Sequence, residues 1–230
     1  MSIDKKVKNN LPQQFINVSR LVHFENSLVK YFPYIVHEQK VQFFALRDLY
    51  TNWNRKANLI SRKDIGNLYE RHVLHSLGIA QIISFCDYST ILDVGTGGGF
   101  PGVPLAILFP NVRFLLLDST AKKIKILENI ISKLNLRNVK CKCMRAEYER
   151  GQFDFIISRA AMPLLELVNI TQKNISIKQQ NTLPNGFLCL KGGNLHDELE
   201  PFKKRVIEYK LSNYFQEEFF KKKKVIYLPV

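Results

Sequence analysis

Ile91-Leu92-Asp93-Val94-Gly95-Thr96-Gly97-Gly98-Gly99-Phe100-Pro101-Gly102 is the stretch on which the reading of this chain turns. An apolar run passes into a glycine-rich turn and then into helix-forming sequence. Backbone N–H groups and a helix N-terminus are thereby offered to a ligand with little side chain in the way. Gly95, Gly97 and Gly99 let the backbone approach a nucleotide-like cofactor, and Pro101 or Pro104 suits a first helical turn, where no amide hydrogen is required. The glycines alone leave the cofactor open, because Gly97, Gly99 and Gly102 also satisfy the G-x-G-x-x-G dinucleotide pattern.

A second apolar run ends at Asp118, 23 positions after Gly95. An acidic residue at the end of the second strand accepts ribose hydroxyls in either cofactor class. Its alternative role is to cap the helix that begins near Ser119. Asp93 separates the two classes: a carboxylate just ahead of the glycines attracts the cationic amino or sulfonium end of S-adenosylmethionine (SAM), whereas dinucleotide sites usually carry only apolar residues there. Asp93 can also hydrogen-bond the glycine turn itself, and the two roles are compatible.

Outward from this stretch, strand and helix patterns alternate. Ile91–Val94, Phe114–Leu117, Val139–Met144, Phe153–Ser158 and Phe187–Leu190 are short apolar or alternating runs, and helix-like segments lie near Pro101–Phe109, Ala121–Leu136 and Pro163–Ile177. The pattern predicts an α/β, doubly wound, mostly parallel sheet. Glu208–Tyr214 and Lys224–Leu228 have strand propensity and are expected as an antiparallel hairpin at one edge. Before Thr90 the period is helical, as in Val41, Phe44, Ala45 and Leu49, and in Leu68, Val73, Leu74 and Leu77. The expected division is a helical N-terminal region, 1–85, and a Rossmann-like domain, 86–230.

Composition narrows the partners. The 230 residues carry 34 Lys plus Arg against 20 Asp plus Glu, a formal net charge of +14. Such an excess is self-repelling and is tolerated where a polyanion is the partner. It is concentrated: residues 101–150 hold ten basic and four acidic side chains, and residues 201–230 hold eight and three. General lysine richness is the competing explanation, and Lys221–Lys224 also fits a solvated turn. The longest nearly apolar stretch, Phe100–Pro110, is interrupted by prolines and falls short of the roughly 18 residues of a membrane span. No secretory pattern follows the basic residues at the N-terminus, and the four cysteines show no disulfide or metal-ligand spacing, so a cytoplasmic protein is expected.

With these pieces in place the chain resembles the RsmG/GidB family, bacterial small-subunit (16S) ribosomal RNA guanine-N7 methyltransferases with a Rossmann-like class I SAM-dependent fold. The resemblance runs from about Leu46 to Val230. It rests on the order and spacing of Trp53-Asn54-x-Lys56-x-Asn58-Leu59-Ile60-Ser61, Arg71-His72-x-Leu74-x-Ser76-Leu77, Asp93 through Pro104, Leu117-Asp118-Ser119, Arg145-Ala146-Glu147, Phe153-Asp154 with Ser158-Arg159-Ala160, and Leu190-Lys191-Gly192. It implies that Gly95 and Phe100 line the SAM site, that Ala146 and Glu147 hold the adenine through their backbone, and that Arg159 belongs to the site. Ligands in such sheets bind at the carboxyl ends of the strands, which agrees with this placement. Glu147 as a solvated charge and Arg159 paired with Glu166 are the competing structural roles.

Two positions depart from the commoner family pattern: His75 stands where an acidic residue is usual, and Phe100 replaces Leu. His72 and His75 lie three apart but lack a third ligand, so no metal is expected.

The implied chemistry needs no general base, because guanine N7 has an in-plane lone pair and no proton; positioning and exclusion of water suffice. Arg159, and more weakly Lys191, are the candidate orienting residues. Arg55, Lys56, Arg62, Lys63, Arg71, Lys122, Lys123 and Lys125 are the candidate RNA surface. A monomer acting on 16S rRNA or the small ribosomal subunit, without a membrane, is expected. The alternatives are an NAD-dependent oxidoreductase and a non-catalytic RNA-binding protein on a methyltransferase scaffold.

Overall fold

The computed structural model describes residues 13–230 other than Lys56, Asn58, Arg62, Lys63 and Ala160, with side chains from Val22 onward. Seven strands form one sheet in the order β3-β2-β1-β4-β5-β7-β6. Strands β1 (Thr90–Val94), β2 (Arg113–Asp118), β3 (Val139–Cys143), β4 (Phe155–Arg159) and β5 (Gly186–Gly192) are parallel, and β7 (Lys223–Pro229) runs antiparallel between β5 and β6 (Ile207–Lys210). This is the doubly wound, Rossmann-like arrangement with an antiparallel edge. Strand β1 is apolar almost throughout because it is covered on both faces, as interior parallel strands are.

One face is covered by the helical N-terminal region, with α1 (Gln13–Tyr31) and α2 (His37–Asn54), together with α4 (Gly102–Leu108) and α5 (Ala121–Lys133). Helix α2 turns Phe43, Leu46 and Tyr50 inward at helical spacing, and each buried side chain of this size is worth about 1.5–3 kcal/mol. Gln39 Oε1 accepts the Val36 N–H at 3.0 Å and starts that helix. Helix α5 buries Ile124, Leu127, Ile130 and Ile131, and Asn135, with φ 53°, ends it in the left-handed conformation. A single hydrophobic cluster joins Phe24, Leu28 and Phe43 to Val103, Leu127 and Phe155, so the N-terminal helices and the sheet share one core.

The opposite face is covered only in part. Helices α6 (Leu164–Thr171) and α7 (His196–Leu199) pack Leu164, Leu167, Val168 and Leu199 against β1, β4, β5 and β7. Strand β3 passes to β4 through a single turn, Ala146–Tyr148, so no connecting helix lies over β2 and β3 on this face.

Between α2 and β1 the chain forms a π-helix, Leu68–Leu74, continued by the short α3 (His75–Leu77) and a 3-10 turn, Gly78–Gln81. The expected Glu208–Tyr214 strand stops at Lys210, because Leu211 turns inward, is fully buried and packs where a Cβ on Gly78 would stand. Near the C-terminus the Glu217 carboxylate accepts Ser27 Oγ and Tyr31 Oη, each at 3.0 Å, and so ties α1 to a loop 186 residues later.

Candidate functional site

The site is built at the carboxyl ends of β1, β2, β3 and β4. After β1 the chain turns sharply, with Gly95 at φ 67° and Gly97 at φ 58°, a backbone conformation that L side chains rarely adopt. A Cβ on Gly97 would meet nothing nearer than 3.9 Å, whereas one on Gly95 would stand 2.6 Å from Ala161 Cβ. The turn is therefore bare over Gly97 and closely covered at Gly95. Gly99 and Gly102 are required by crowding, against Leu127 and Val103 for the first and Asp93 for the second.

Asp118 closes the end of β2. Its Oδ2 accepts the Gly97 N–H at 3.0 Å and its Oδ1 accepts the Thr120 N–H at 2.9 Å, so it braces the glycine turn and also the turn that leads into α5. Each oxygen retains a further lone pair for a diol. Lys123 Nζ lies 3.8 Å from the same carboxylate.

A crevice of about 370 Å³ opens here, lined by Gly95, Asp118, Ala146, Glu147, Met162 and Ile170 among others. The Glu147 carbonyl is held by Lys173 Nζ. The crevice thus offers a carboxylate, backbone polar groups and the apolar walls of Met144, Met162 and Ile170. That donor set fits SAM: a diol at Asp118, a flat heterocycle at Ala146–Glu147, and a glycine turn without side chains between them.

The structure places three of the predicted residues on the other side of the turn. Asp93 is fully buried, and its Oδ2 accepts Thr96 Oγ1 at 2.6 Å and the Gly102 N–H at 2.9 Å. Its Oδ1 is buried without a hydrogen-bond partner among the described residues. Burial pushes its pKa up to about 6, against the opposing pull of the Thr96 and Gly102 hydrogen bonds. Phe100 is 2 % exposed and packs against Tyr50, with ring centroids 4.9 Å apart.

Arg159, at the end of β4, lies over the Phe100 ring at 5.0 Å. It donates from Nη2 to His72 Nδ1 at 3.0 Å and from Nη1 to the Arg71 carbonyl at 3.4 Å, and not to Glu166. Burial lowers the Arg159 pKa to about 10, still charged at neutral pH. Burial, reinforced by that guanidinium, lowers His72 to about 3. The imidazole is neutral and accepts at Nδ1, which leaves its proton on the buried Nε2.

Lys191 is held on two sides. Its Nζ donates to the Met162 carbonyl at 2.7 Å and pairs with Glu198 at 2.8 Å. Glu198 in turn accepts the Leu164 N–H at 2.7 Å, at the start of α6. The lysine therefore fixes the loop after β4 that forms one wall of the crevice. His75 is packed edge-on to Phe219 and Phe220. Among the described residues no three His, Cys, Asp or Glu side chains gather as a metal site.

Four contributors are not signalled by the sequence. Met162 and Ala161 wall the crevice, Lys173 holds the Glu147 carbonyl, and the Tyr50 hydroxyl donates to the Gly98 carbonyl from beneath the turn. Tyr50 belongs to the α2 periodicity that includes Leu46, but nothing in spacing reveals which carbonyl a helix tyrosine reaches. Of the predicted RNA surface, Arg55, Lys122 and Lys125 are exposed, while Arg71 is paired with Asp64 at 2.8 Å. Lys56, Arg62 and Lys63, and Asn58 and Ala160 of the sequence motifs, lie outside the described residues.

Residues 39–227 match the family model described as GidB, rRNA small subunit methyltransferase G. A relative from Phocaeicola vulgatus, named ribosomal RNA small subunit methyltransferase G, is 56% identical over 203 residues, 88% of this chain and 97% of its own. One of the same name from Flavobacterium johnsoniae is 50% identical over 205 residues, 89% and 98% of the two chains. The solved structure of MtNAS in complex with MTA and tNA superposes with a TM-score of 0.56 at 10% identity, covering 84% of this chain and 74% of that one, a likeness of fold alone. Both sequence relatives are named as methyltransferases, which leaves the oxidoreductase and non-catalytic alternatives without support. No helix among the described residues is long and apolar enough to cross a membrane.

Proposed function

This chain belongs to the GidB family of small-subunit rRNA methyltransferases, and from that membership we propose that it methylates N7 of a guanine in 16S ribosomal RNA, as a monomer in the cytoplasm. SAM supplies an electrophilic methyl group on a sulfonium. The observation that carries the reading is the Gly97–Asp118 bond beneath an open crevice: it fixes a carboxylate and a bare turn in one cofactor-sized space.

In this reading Gly95, Gly97 and Gly99 form the turn against which the cofactor lies, Asp118 accepts its ribose hydroxyls, and the backbone of Ala146 and Glu147 takes its adenine. Asp93 braces the turn through Thr96 and Gly102, and its negative charge favours a cation above it. Phe100 and Arg159 support the turn from below. Arg159 and Lys191 act as positioning residues, the first through the Phe100–His72 stack and the second through the Met162 loop. The boundary at residue 85 is one of role: the helices before it cover the sheet, and the segment 86–230 carries the cofactor residues.

With N7 as acceptor no side chain has to remove a proton. The test is to incubate the protein with isotopically labelled SAM and 16S rRNA lacking its own methylations, then to identify the modified nucleoside by mass spectrometry. Label in 7-methylguanosine at one position is expected. Label on another atom, or none, refutes the assignment.

A further inference from the structure

The proposed reaction uses the carboxyl ends of the strands, and the opposite end of the same sheet face is left without a role. A cleft of about 450 Å³ opens there, where no helix covers β2 and β3. Leu115 and Phe153 form an apolar floor, and Thr90, Arg113, Arg137 and Lys140 surround it. Leu115 lies beside Lys140 in the parallel register and two residues before Leu117, which lines the cofactor crevice. Side chains alternate along a strand, so cleft and crevice open on the same face. Arg113 in the cleft and Asp118 in the crevice, at the two ends of β2, are about 17 Å apart at roughly 3.3 Å per residue.

Some cations of the basic surface are paired in place, and others, here and elsewhere, are not. Arg71, Lys123, Lys142, Lys191, Lys203, Lys221 and Lys224 each lie within 4.0 Å of a carboxylate. Arg113, Arg137 and Lys140 have no such partner among the described residues, and Arg113 instead packs on the Tyr88 ring at 5.9 Å. The carboxylate behind Thr90, Asp154, is 4% exposed and accepts the Thr90 N–H and hydroxyl and the Gln180 amide. Three cations gathered without a counter-ion repel one another, a cost that a polyanion removes. Lysines on an edge strand also discourage strand pairing, which accounts for Lys140 on β3 but not for Arg113 on the interior strand β2 or for Arg137 in the preceding turn. Arg145, on the crevice rim just after β3, continues the positive track toward the cofactor.

We propose that this cleft is a second RNA-docking surface, gripping the phosphodiester backbone of the substrate at a distance from the methylated base, an inference that rests on the rRNA methyltransferase reading. At about 3.4 Å per stacked nucleotide the separation corresponds to roughly five nucleotides. The apolar floor gives bases or ribose edges a surface while the three cations take phosphates.

The test compares wild type, the triple variant Arg113→Gln/Arg137→Gln/Lys140→Gln, and a control that removes three exposed cations elsewhere, Lys178→Gln/Lys203→Gln/Lys204→Gln. Binding to unmethylated 16S rRNA is measured across a salt series, with steady-state kinetics and SAM calorimetry in parallel. The triple variant should reduce the slope of log K against log salt by about 2, since each single-strand phosphate contact contributes about 0.7. Its KM for RNA should rise at least tenfold at physiological salt, while kcat at saturating RNA and SAM affinity stay within twofold and the control stays near wild type. Retained SAM affinity also shows that the variant is folded; should it not be, Lys140→Gln alone should lower the slope by about 0.7. An unchanged slope and KM, or an equal fall in the control, overturns the proposal. So does intact RNA binding with weaker binding to the assembled subunit, which would assign the cleft to an acidic protein. A wild type that transfers no methyl group to rRNA refutes the underlying reading instead, whereas normal transfer by an unaffected triple variant refutes the cleft alone.

Discussion

On its outer side the glycine turn faces an open crevice, where Gly95, Asp118, Ala146 and Glu147 present backbone and carboxylate groups, and Asp118 in turn holds the Gly97 N–H. On its inner side the same turn rests on Asp93, Phe100, Tyr50, His72 and Arg159, which are packed on one another. Both sides draw on the same few motifs, yet the outer one is free to meet a ligand and the inner one is packed within the protein, with Asp93 Oδ1 and His72 Nε2 buried without hydrogen-bond partners among the described residues. The lesson is that substitutions outside should separate cofactor affinity from stability, and substitutions inside should move the two together or against each other.

The largest separation is expected at Gly97→Asp. The position has open space above it, and a left-handed Asp costs about 1–2 kcal/mol. The melting temperature should fall by only a few degrees in a chain of this size, while a new carboxylate inside the crevice beside Asp118 weakens SAM binding at least 100-fold. Calorimetry returning wild-type affinity would remove the turn from the site.

Next in size is Arg159→Ala. Loss of the stack on Phe100 and of the bond to His72 should lower kcat about 30-fold and the melting temperature as well, with a smaller change in KM for RNA. Arg159→Lys should recover little, because an ammonium cannot reproduce a planar guanidinium that both stacks and donates from two nitrogens. Recovery of kcat by Lys would show that charge alone matters there.

Asp93→Asn should push affinity and stability in opposite directions. The folded-state pKa of Asp93, about 6, lies above the ordinary carboxylate value. The stability tied to its protonated form is therefore fully present below about pH 4 and is lost as pH rises through about 6. At about 1.4 kcal/mol per pKa unit the asparagine variant should gain roughly 2–3 kcal/mol over wild type at pH 8, and nothing at pH 4. SAM affinity should drop about tenfold as the negative charge disappears. Urea denaturation at the two pH values checks the sign; equal destabilisation at both would mean that the Thr96 and Gly102 hydrogen bonds outweigh the charge.

The smallest effect is expected at Lys191→Gln, which releases Met162 and leaves Glu198 partly exposed to water. A threefold to fivefold rise in the KM for SAM with a nearly unchanged melting temperature would match a wall-holding role. A kcat loss as deep as that of Arg159→Ala would instead place Lys191 at the reacting atoms.

The contrast between the two sides also explains what could be read in advance. The five parallel strands were legible because interior strands such as Ile91–Val94 are largely apolar on both faces, and the glycine turn and the acid at the end of β2 were legible because local sequence carries them, whereas Ala146 and Glu147 were pointed to only by the family resemblance. The inner side was not legible, since Arg159 meets His72 across 87 residues and Tyr50 meets Gly98 across 48. Asp93 shows the ambiguity sharply: both of its roles were foreseeable, but only the fold shows its carboxylate turned under Gly102. The π-helix escaped for another reason. Leu68, Val73, Leu74 and Leu77 mark an apolar face, but that spacing does not tell an α turn from the wider one that turns His72 toward Arg159.

The Glu217 carboxylate carries a consequence for how the molecule is made. Ser27 and Tyr31 find their acceptor in a residue synthesised 190 and 186 positions later. During translation Phe24 of α1 can pack on Phe43 and Tyr69 once these emerge, and the Ser27–Tyr31 turn gains its last partners when the 215–220 loop follows and Phe215 seats against Tyr31. A nascent chain stalled before Glu217 would therefore hold α1 by its apolar contacts alone, with the Ser27 and Tyr31 hydroxyls still lacking their acceptor.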